Sequence, residues 1–365
     1  MYARTTNFRY KWQAVLAIII LTGIFSSCIP EQNTLTESAT LTPTVLVEET
    51  PIADLTPTPR PTSTPTPSPI GTEGNPIKIG FILNGENQQS QDAAEDIAYK
   101  ISTLTGYAVE SFFYPDFETL SSAILNLELD LFWLKPIEYL FLNLEGAAQV
   151  MLVTNHLGVF AYGVQFMANQ ERGFLPYFDP ESGETFGDPL QALQQFSGTR
   201  PCLIEPNALP GHLVPLGLLF NASTPTLDPV FTYSYNAMVR ALYIQGICDF
   251  GVSYALIGDP LSSSDILNNI PEAQDDLVVI WQTEGIIPNI NLSVSPALPA
   301  HIRFRLKEAF LNFGTDSTGL GMMSTALNSD VDALLAVEDT FYNPLRSAIF
   351  PMEPDFQKIL FQTSQ

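Results

Sequence analysis

From Lys78 onward, short apolar runs alternate with longer segments whose apolar residues recur at helical spacing. That alternation confines the chain to an α/β class, because short buried strands separated by helices pair into a largely parallel sheet. The pattern is sharpest between Glu128 and Tyr139. A helical pattern carrying Leu120, Ile124 and Leu127 ends just before it, and Leu129 to Leu134, broken only by Asp130, reads as a buried strand. Lys135-Pro136 stops that run, and Ile137 to Glu145 reads as a new helix with Pro136 in its first turn. In open α/β sheets, ligands lie outside the carboxyl ends of the strands. Trp133, Lys135 and Tyr139 are therefore candidates for the mouth of a crevice. A competing reading makes Trp133 a core residue and Lys135 a solvated turn residue.

The same reading extends along the chain. Lys78–Leu83 and Val109–Tyr114 are strands. Between them, Ser90 caps a helix with an apolar face of Ala93, Ala94, Ile97, Ile101 and Leu104, closed by Gly106. Asp116–Leu127 is a helix, and Val150–Thr154 and Tyr162–Ala168 are strands. Residues 170–190 are turn-rich and read as a surface insertion or linker. A second alternating unit follows, with strands at Pro201–Glu205, Val230–Tyr233 and Cys248–Tyr254 and helices at Gly211–Phe220 and Asn236–Gln245. Leu277–Gln282 and Asn291–Ser295 are further strands, and Pro299–Phe313 is an amphipathic helix.

The start of the chain has a different character. Arg4, Arg9 and Lys11 precede an apolar run from Ala14 to Phe25 and then Ser26-Ser27-Cys28. This is the layout of a secretory signal spanning residues 1–27, too short for a comfortable membrane span. Cys28 after two small residues resembles a bacterial lipobox, with lipidation at Cys28; Phe25 departs from that pattern, and ordinary cleavage nearby is the alternative. Residues 28–75 are dominated by Thr, Pro, Ser and Glu and read as a semi-extended spacer behind the anchor, or as a mucin-like stalk. The formal charge is −24, and removing the leader with its three basic residues makes it −27. So acidic a chain excludes nucleic acid as a partner, although backbone donors still bind a small anion.

Four segments in order resemble the substrate-binding proteins of phosphate, phosphite and phosphonate ABC importers. They are Leu129 to Pro136 with Tyr139, Pro201 to Pro206 followed by Gly211 and Pro215, Gln245 to Tyr254, and Glu284 to Pro288 before Leu298-Pro299. The resemblance covers about Lys78 to Ala348. It implies a type II periplasmic-binding-protein fold: two α/β lobes, each a mostly parallel sheet flanked by helices, closing on a ligand between them. The expected lobes are 76–168 with 284–365, and 169–283. The implied role is an extracytoplasmic, lipid-anchored, monomeric solute-binding protein. It needs no cofactor, takes a small anionic, phosphonate-like ligand or one of degenerate specificity, and hands it to permease subunits. The crevice residues implied are Asn84, Trp133, Lys135, Tyr139, Tyr162, Glu205, Asn207, His212, Ser234, Tyr235, Asn236 and Tyr254. The family's strand order also makes the strands begun by Cys202 and Cys248 neighbours, and export permits a disulfide between them, with two buried thiols as the alternative.

The departures from the family pattern bear on the ligand. The family holds a tetrahedral oxyanion with hydroxyls and amides at a helix start, whereas Ala208-Leu209-Pro210 stands there in this chain. Asn207, His212 and the Ser234-Tyr235-Asn236 run are the polar groups left. His212 reads either as a ligand donor or as a structural histidine. His156, His212 and His301 are far apart and carry no metal-ligand spacing. Neither a nucleophile elbow nor a glycine-rich phosphate loop is present, so the expectation is a binding protein and not an enzyme. A ligand-sensing or scaffold module of the same fold is the second reading, and a hydrolase or transferase on a similar scaffold the third.

Overall fold

A computed structural model describes residues 68–83, 87–255 and 271–361. The leader, Cys28, Asn84 and Leu256 lie outside the described residues. In chain order the first elements are β1 (Ile77–Ile82), α1 (Gln88–Thr105), β2 (Val109–Tyr114), α2 (Phe117–Leu125), β3 (Leu131–Leu134), α3 (Pro136–Leu144), β4 (Gln149–Asn155) and β5 (Ala161–Asn169). A short hairpin of β6 (Phe178–Asp179) and β7 (Glu184–Thr185) precedes α4 (Pro189–Gln194), β8 (Pro201–Leu203), α5 (Val214–Asn221), β9 (Val230–Phe231), α6 (Tyr235–Ile244) and β10 (Phe250–Ala255). Then come α7 (Ala273–Asp276), β11 (Leu277–Gln282), β12 (Ile287–Pro288), β13 (Asn291–Val294), α8 (Ala300–Phe313), α9 (Ser317–Leu327), β14 (Ala333–Ala336), α10 (Asn343–Ile349) and α11 (Phe356–Phe361).

Two sheets organise these elements. The first is six-stranded, in the order β14-β4-β13-β3-β1-β2; the second runs β11-β5-β10-β8-β9, with β12 also on β5. In each, parallel strands from the local βα units meet antiparallel strands that arrive as the chain passes between sheets. All four side chains of β3 are buried, at 0–3% exposure. Leu131 and Trp133 point to one face with α1 and α8, while Phe132 and Leu134 point to the other with α2 and α3. Burial on both faces explains why this run is apolar throughout instead of alternating. Each such side chain contributes about 1.5–3 kcal/mol.

Local signals account for most element ends. Asp116 caps α2, accepting from the Thr119 N–H at 2.8 Å, and Gly106 ends α1 in the left-handed region at φ 76°. The α1 cap is Asn87 and not Ser90: the Asn87 side chain accepts from the Ser90 N–H, while the buried Ser90 hydroxyl donates to the Thr325 carbonyl at 2.9 Å. Ser90 lies within the first turn, where its hydroxyl ties α1 to α9. The turn-rich stretch 170–190 packs on the second sheet, with the Tyr177 N–H donating to the Ile280 carbonyl at 2.6 Å.

The sheets redraw the expected lobe boundary. The expected boundary puts Tyr162–Ala168 in the first lobe, yet all of β5 lies in the second sheet, paired with β10 and β11. The chain crosses between sheets at residues 156–160 and again at 289–290. Close packing there requires glycine: a Cβ on Gly163 would meet the Thr283 carbonyl oxygen at 2.5 Å. The C-terminal elements do not belong to the first sheet alone either. Helix α10 packs on α5 so closely that a Cβ on Gly217 would lie 2.1 Å from the Ala348 carbonyl oxygen. Then α11 returns to the first lobe, stacking Phe361 on Phe117 at 5.7 Å.

Cys202 and Cys248 form a disulfide, with their Cα atoms 5.6 Å apart. Cys202 lies in β8, and Cys248 stands two residues before β10, the parallel neighbour in which Gly251 is in register with Cys202.

Candidate functional site

A cavity of about 510 Å3 opens between the ends of the two sheets. Lys135 and Pro136, at the end of β3, line it from the first sheet. Tyr162 and Tyr254 line it from the second, with Leu209 and Pro210 beside them. Asn289 and Ile290, on the second crossing, form its floor. A further cavity of about 420 Å3 lies on the first-lobe side, bounded by Leu83, Asn87, Trp133, Glu138 and Ser329. Lys135 and Ile290 line both.

Lys135 sits at this junction because Pro136 opens α3. The Lys135 backbone N–H donates to the Glu138 carboxylate at 2.7 Å, which fixes the turn and leaves the side chain exposed. Burial pushes the Glu138 carboxyl up, opposed by the Lys135 amide and charge. Trp133 is only 3% exposed and meets Phe310 edge-on at 6.1 Å, so most of the ring is core. Its indole N–H is buried and has no hydrogen-bond partner among the described residues.

Tyr139 is not part of the cleft. It is fully buried, packs on Tyr342 with ring centroids 4.2 Å apart, and donates its hydroxyl to Asp339 at 2.6 Å. Burial, then the Asp339 hydrogen bond and charge, pushes its phenol far up. The residue lies one helical turn past Lys135, and α3 carries its side chain back beneath the sheet.

On the second sheet, Tyr254 is in register with Val164, two residues along β5 from Tyr162. Both tyrosines therefore leave the same face. Burial raises the Tyr162 phenol to about 12. Tyr235, the first residue of α6, stands edge-to-face against Tyr254 at 5.1 Å and 86°. Burial raises its phenol too, helped by the charges of Tyr162, Tyr254 and Glu205. These four side chains thus form one neighbourhood. Asn207 and Glu205 are exposed, and Asn207 lines the cavity.

Two of the polar groups expected to cradle an oxyanion, His212 and Ser234, carry structural hydrogen bonds. Residues Leu209–Leu213 form a π-helical turn leading into α5, with Ala208 at its cap and no capping side chain. His212 is half-buried, and its Nδ1 lies 2.6 Å from the Pro206 carbonyl oxygen. A carbonyl only accepts, so Nδ1 carries the proton and Nε2 is an acceptor. Burial lowers the His212 pKa, opposed by that hydrogen bond, which favours the neutral ring. The Ser234 hydroxyl caps α6, accepting from the Ala237 N–H at 3.1 Å. Asn236 is exposed in the first turn of the same helix.

Asn289 is a site residue that the sequence reading missed. Its side-chain amide donates to the Val159 carbonyl at 2.7 Å and the Thr154 carbonyl at 3.3 Å, so it ties the two crossings together beneath the cavity. Only the flanking Pro288 hints at a break in the strand; the partners lie 130 and 135 residues away. Among the described residues, no three His, Cys, Asp or Glu side chains stand together as metal ligands, and no helix is long and apolar enough to cross a membrane.

A family model described as ABC transporter, phosphonate, periplasmic substrate-binding protein matches residues 79–341. No curated protein matches the sequence. Among solved structures, the Xanthomonas citri protein XAC2383 bound to ATP aligns with 14% identity and a TM-score of 0.52, over 78% of this chain and 99% of that one. The same protein bound to chloride ion aligns with equal identity and score, over 76% and 97%. PhnD1 from Prochlorococcus marinus in complex with methylphosphonate aligns with 14% identity and a TM-score of 0.46, over 76% and 98%. The likeness to XAC2383, at that identity, shows a shared fold.

Proposed function

We propose that this chain, which belongs to the family of periplasmic substrate-binding proteins of phosphonate ABC transporters, captures a small solute between its two sheets and delivers it to permease subunits. One observation carries the reading: a single cavity is lined by Lys135 from the first sheet, by Tyr162 and Tyr254 from the second, and by Asn289 from the crossing between them. A site shared in this way couples ligand contact to closure of the lobes, because a ligand touching both walls favours the closed arrangement.

The secretory leader and the Thr-Pro spacer support export and a lipid anchor at Cys28, which would hold the binding domain clear of the membrane. Among the described residues no hydrogen bond between a nucleophile and a base is seen at the cavity, which supports binding over turnover. The loss of hydroxyls at Ala208-Leu209-Pro210 also fits a second reading, a sensory or scaffold module that keeps the fold without transport. Native mass spectrometry of the protein as purified tests solute capture. The expected result is a bound small molecule released on denaturation. A ligand-free protein that also fails to bind any member of a broad solute panel would overturn the reading.

A further inference from the structure

We propose that the second-sheet wall of the cleft receives a methylated ammonium group, held against Tyr162 and Tyr254, with Tyr235 and the Glu205 carboxylate behind them. This rests on the cleft being the solute site.

The geometry begins with the two strands. Tyr162 and Tyr254 leave the same face of adjacent antiparallel strands and both line the cavity. Tyr235 stands at 86° to Tyr254, so their rings form a corner instead of a flat stack. The face of an aromatic ring is negative and attracts a cation; Tyr162 and Tyr254 are the rings that line the cavity, with Tyr235 packed against Tyr254 outside that lining. Glu205, at the end of β8, adds a full negative charge and forms no ion pair among the described residues. It lies two residues past the last residue of β8, the parallel neighbour of the strand that carries Tyr254, and two residues before Asn207, which lines the cavity.

An anion fits this wall poorly. Glu205 repels it, Pro210 supplies no N–H, and His212 is neutral with its Nδ1 proton given to Pro206. Methylation matters because a primary ammonium needs several close acceptors for its N–H groups, whereas methyl groups need apolar and π surface. Leu209 and Pro210 continue that surface beside the tyrosines. Lys135, on the opposite wall, suits an acidic group at the other end of the same ligand. The class implied is a small zwitterion with a methylated ammonium at the second sheet and an acid at the first.

Calorimetric titration of the ligand-free mature protein with trimethylglycine, choline and glycine tests this. Trimethylglycine is expected to bind, with glycine at least about ten-fold weaker. Tyr254→Leu and Glu205→Gln are each expected to weaken it about ten-fold, while Tyr254→Phe binds almost as well as the parent. Melting temperatures of the variants separate lost contacts from lost fold, and Tyr162→Leu provides a second ring variant. Binding of neither trimethylglycine nor choline overturns the inference. So does a co-purified solute without a cationic nitrogen, which leaves solute capture standing. Absence of any bound solute across the broad panel removes both.

Discussion

Tyr139 donates its hydroxyl to the Asp339 carboxylate at 2.6 Å, across 200 residues of chain. Asp339 is also paired with Arg346, whose guanidinium reaches on to Asn143 at 2.8 Å. This tyrosine of the β3–α3 segment thus serves to dock the C-terminal segment on α3. Tyr139→Phe is expected to lower stability by about 0.5–1.5 kcal/mol, the net worth of one hydrogen bond whose acceptor is exposed and keeps Arg346, without changing ligand affinity. Chemical denaturation and calorimetric titration of the same variant check the two halves. A large loss of affinity with unchanged stability would put Tyr139 back in the site.

The same network has a pH signature. Burial tends to raise the Asp339 carboxyl, but hydrogen bonds from Arg346 and Tyr139 and the Arg346 charge outweigh it and hold it below its ordinary value of 3.8. A group whose folded pKa is depressed contributes stability above its unfolded pKa and loses it as pH falls through the folded one. The parent should therefore lose melting temperature below about pH 4 more steeply than Asp339→Asn, which has no such proton to take up. Parallel slopes for the two proteins between pH 5 and pH 2 would count against the network.

How much of this was legible in the sequence depended on the range of the interaction. Strand β3, the Pro136 turn and the Gly106 end of α1 rest on neighbouring residues, and local pattern places them, although the cap of α1 is Asn87 where the pattern points to Ser90. Sheet membership of β5 is set by pairing with β10 and β11, some 90 and 110 residues on, and position along the chain misassigned it. Tyr139 was misplaced for the same reason, since nothing near it in sequence signals Asp339. Tyr162 and Tyr254 are implied by the family resemblance, and both line the cavity. Their edge-on companion Tyr235 was named for its polar neighbours instead.

Asn289 makes a prediction about motion. Its amide joins both crossings, so Asn289→Ala removes two hydrogen bonds at the hinge, although the Val159 carbonyl keeps the His156 N–H. The variant should sample more open arrangements without ligand. Its scattering-derived radius of gyration should exceed the parent's, and its affinity should fall because closure is harder to complete. Identical radii and affinities would show that the backbone alone sets the hinge.

The disulfide spans a sequence separation of 46, for which the chain-entropy relation gives about 4 kcal/mol of stabilisation. Intact mass after alkylation without reductant should show Cys202 and Cys248 unmodified. Reduction should lower the melting temperature by several degrees. Full alkylation of the unreduced, denatured protein would exclude the bridge.

The last prediction concerns the ligand that the family description names. A tetrahedral oxyanion needs several donors converging on one point, and charge-assisted bonds of that kind are each worth about 1.5–3 kcal/mol. Here Ala208 and Leu209 have no side-chain donor, Pro210 has no N–H, and His212 directs its Nδ1 proton to Pro206. Losing even two such bonds weakens binding by some two orders of magnitude or more. Phosphate, phosphite, methylphosphonate and 2-aminoethylphosphonate are therefore expected to bind weakly or not at all. Titration of ligand-free protein with each of the four measures this directly. Submicromolar affinity for any one would mean that backbone amides at the 209–213 turn, with Lys135 from the facing sheet, rebuild the cradle on closure.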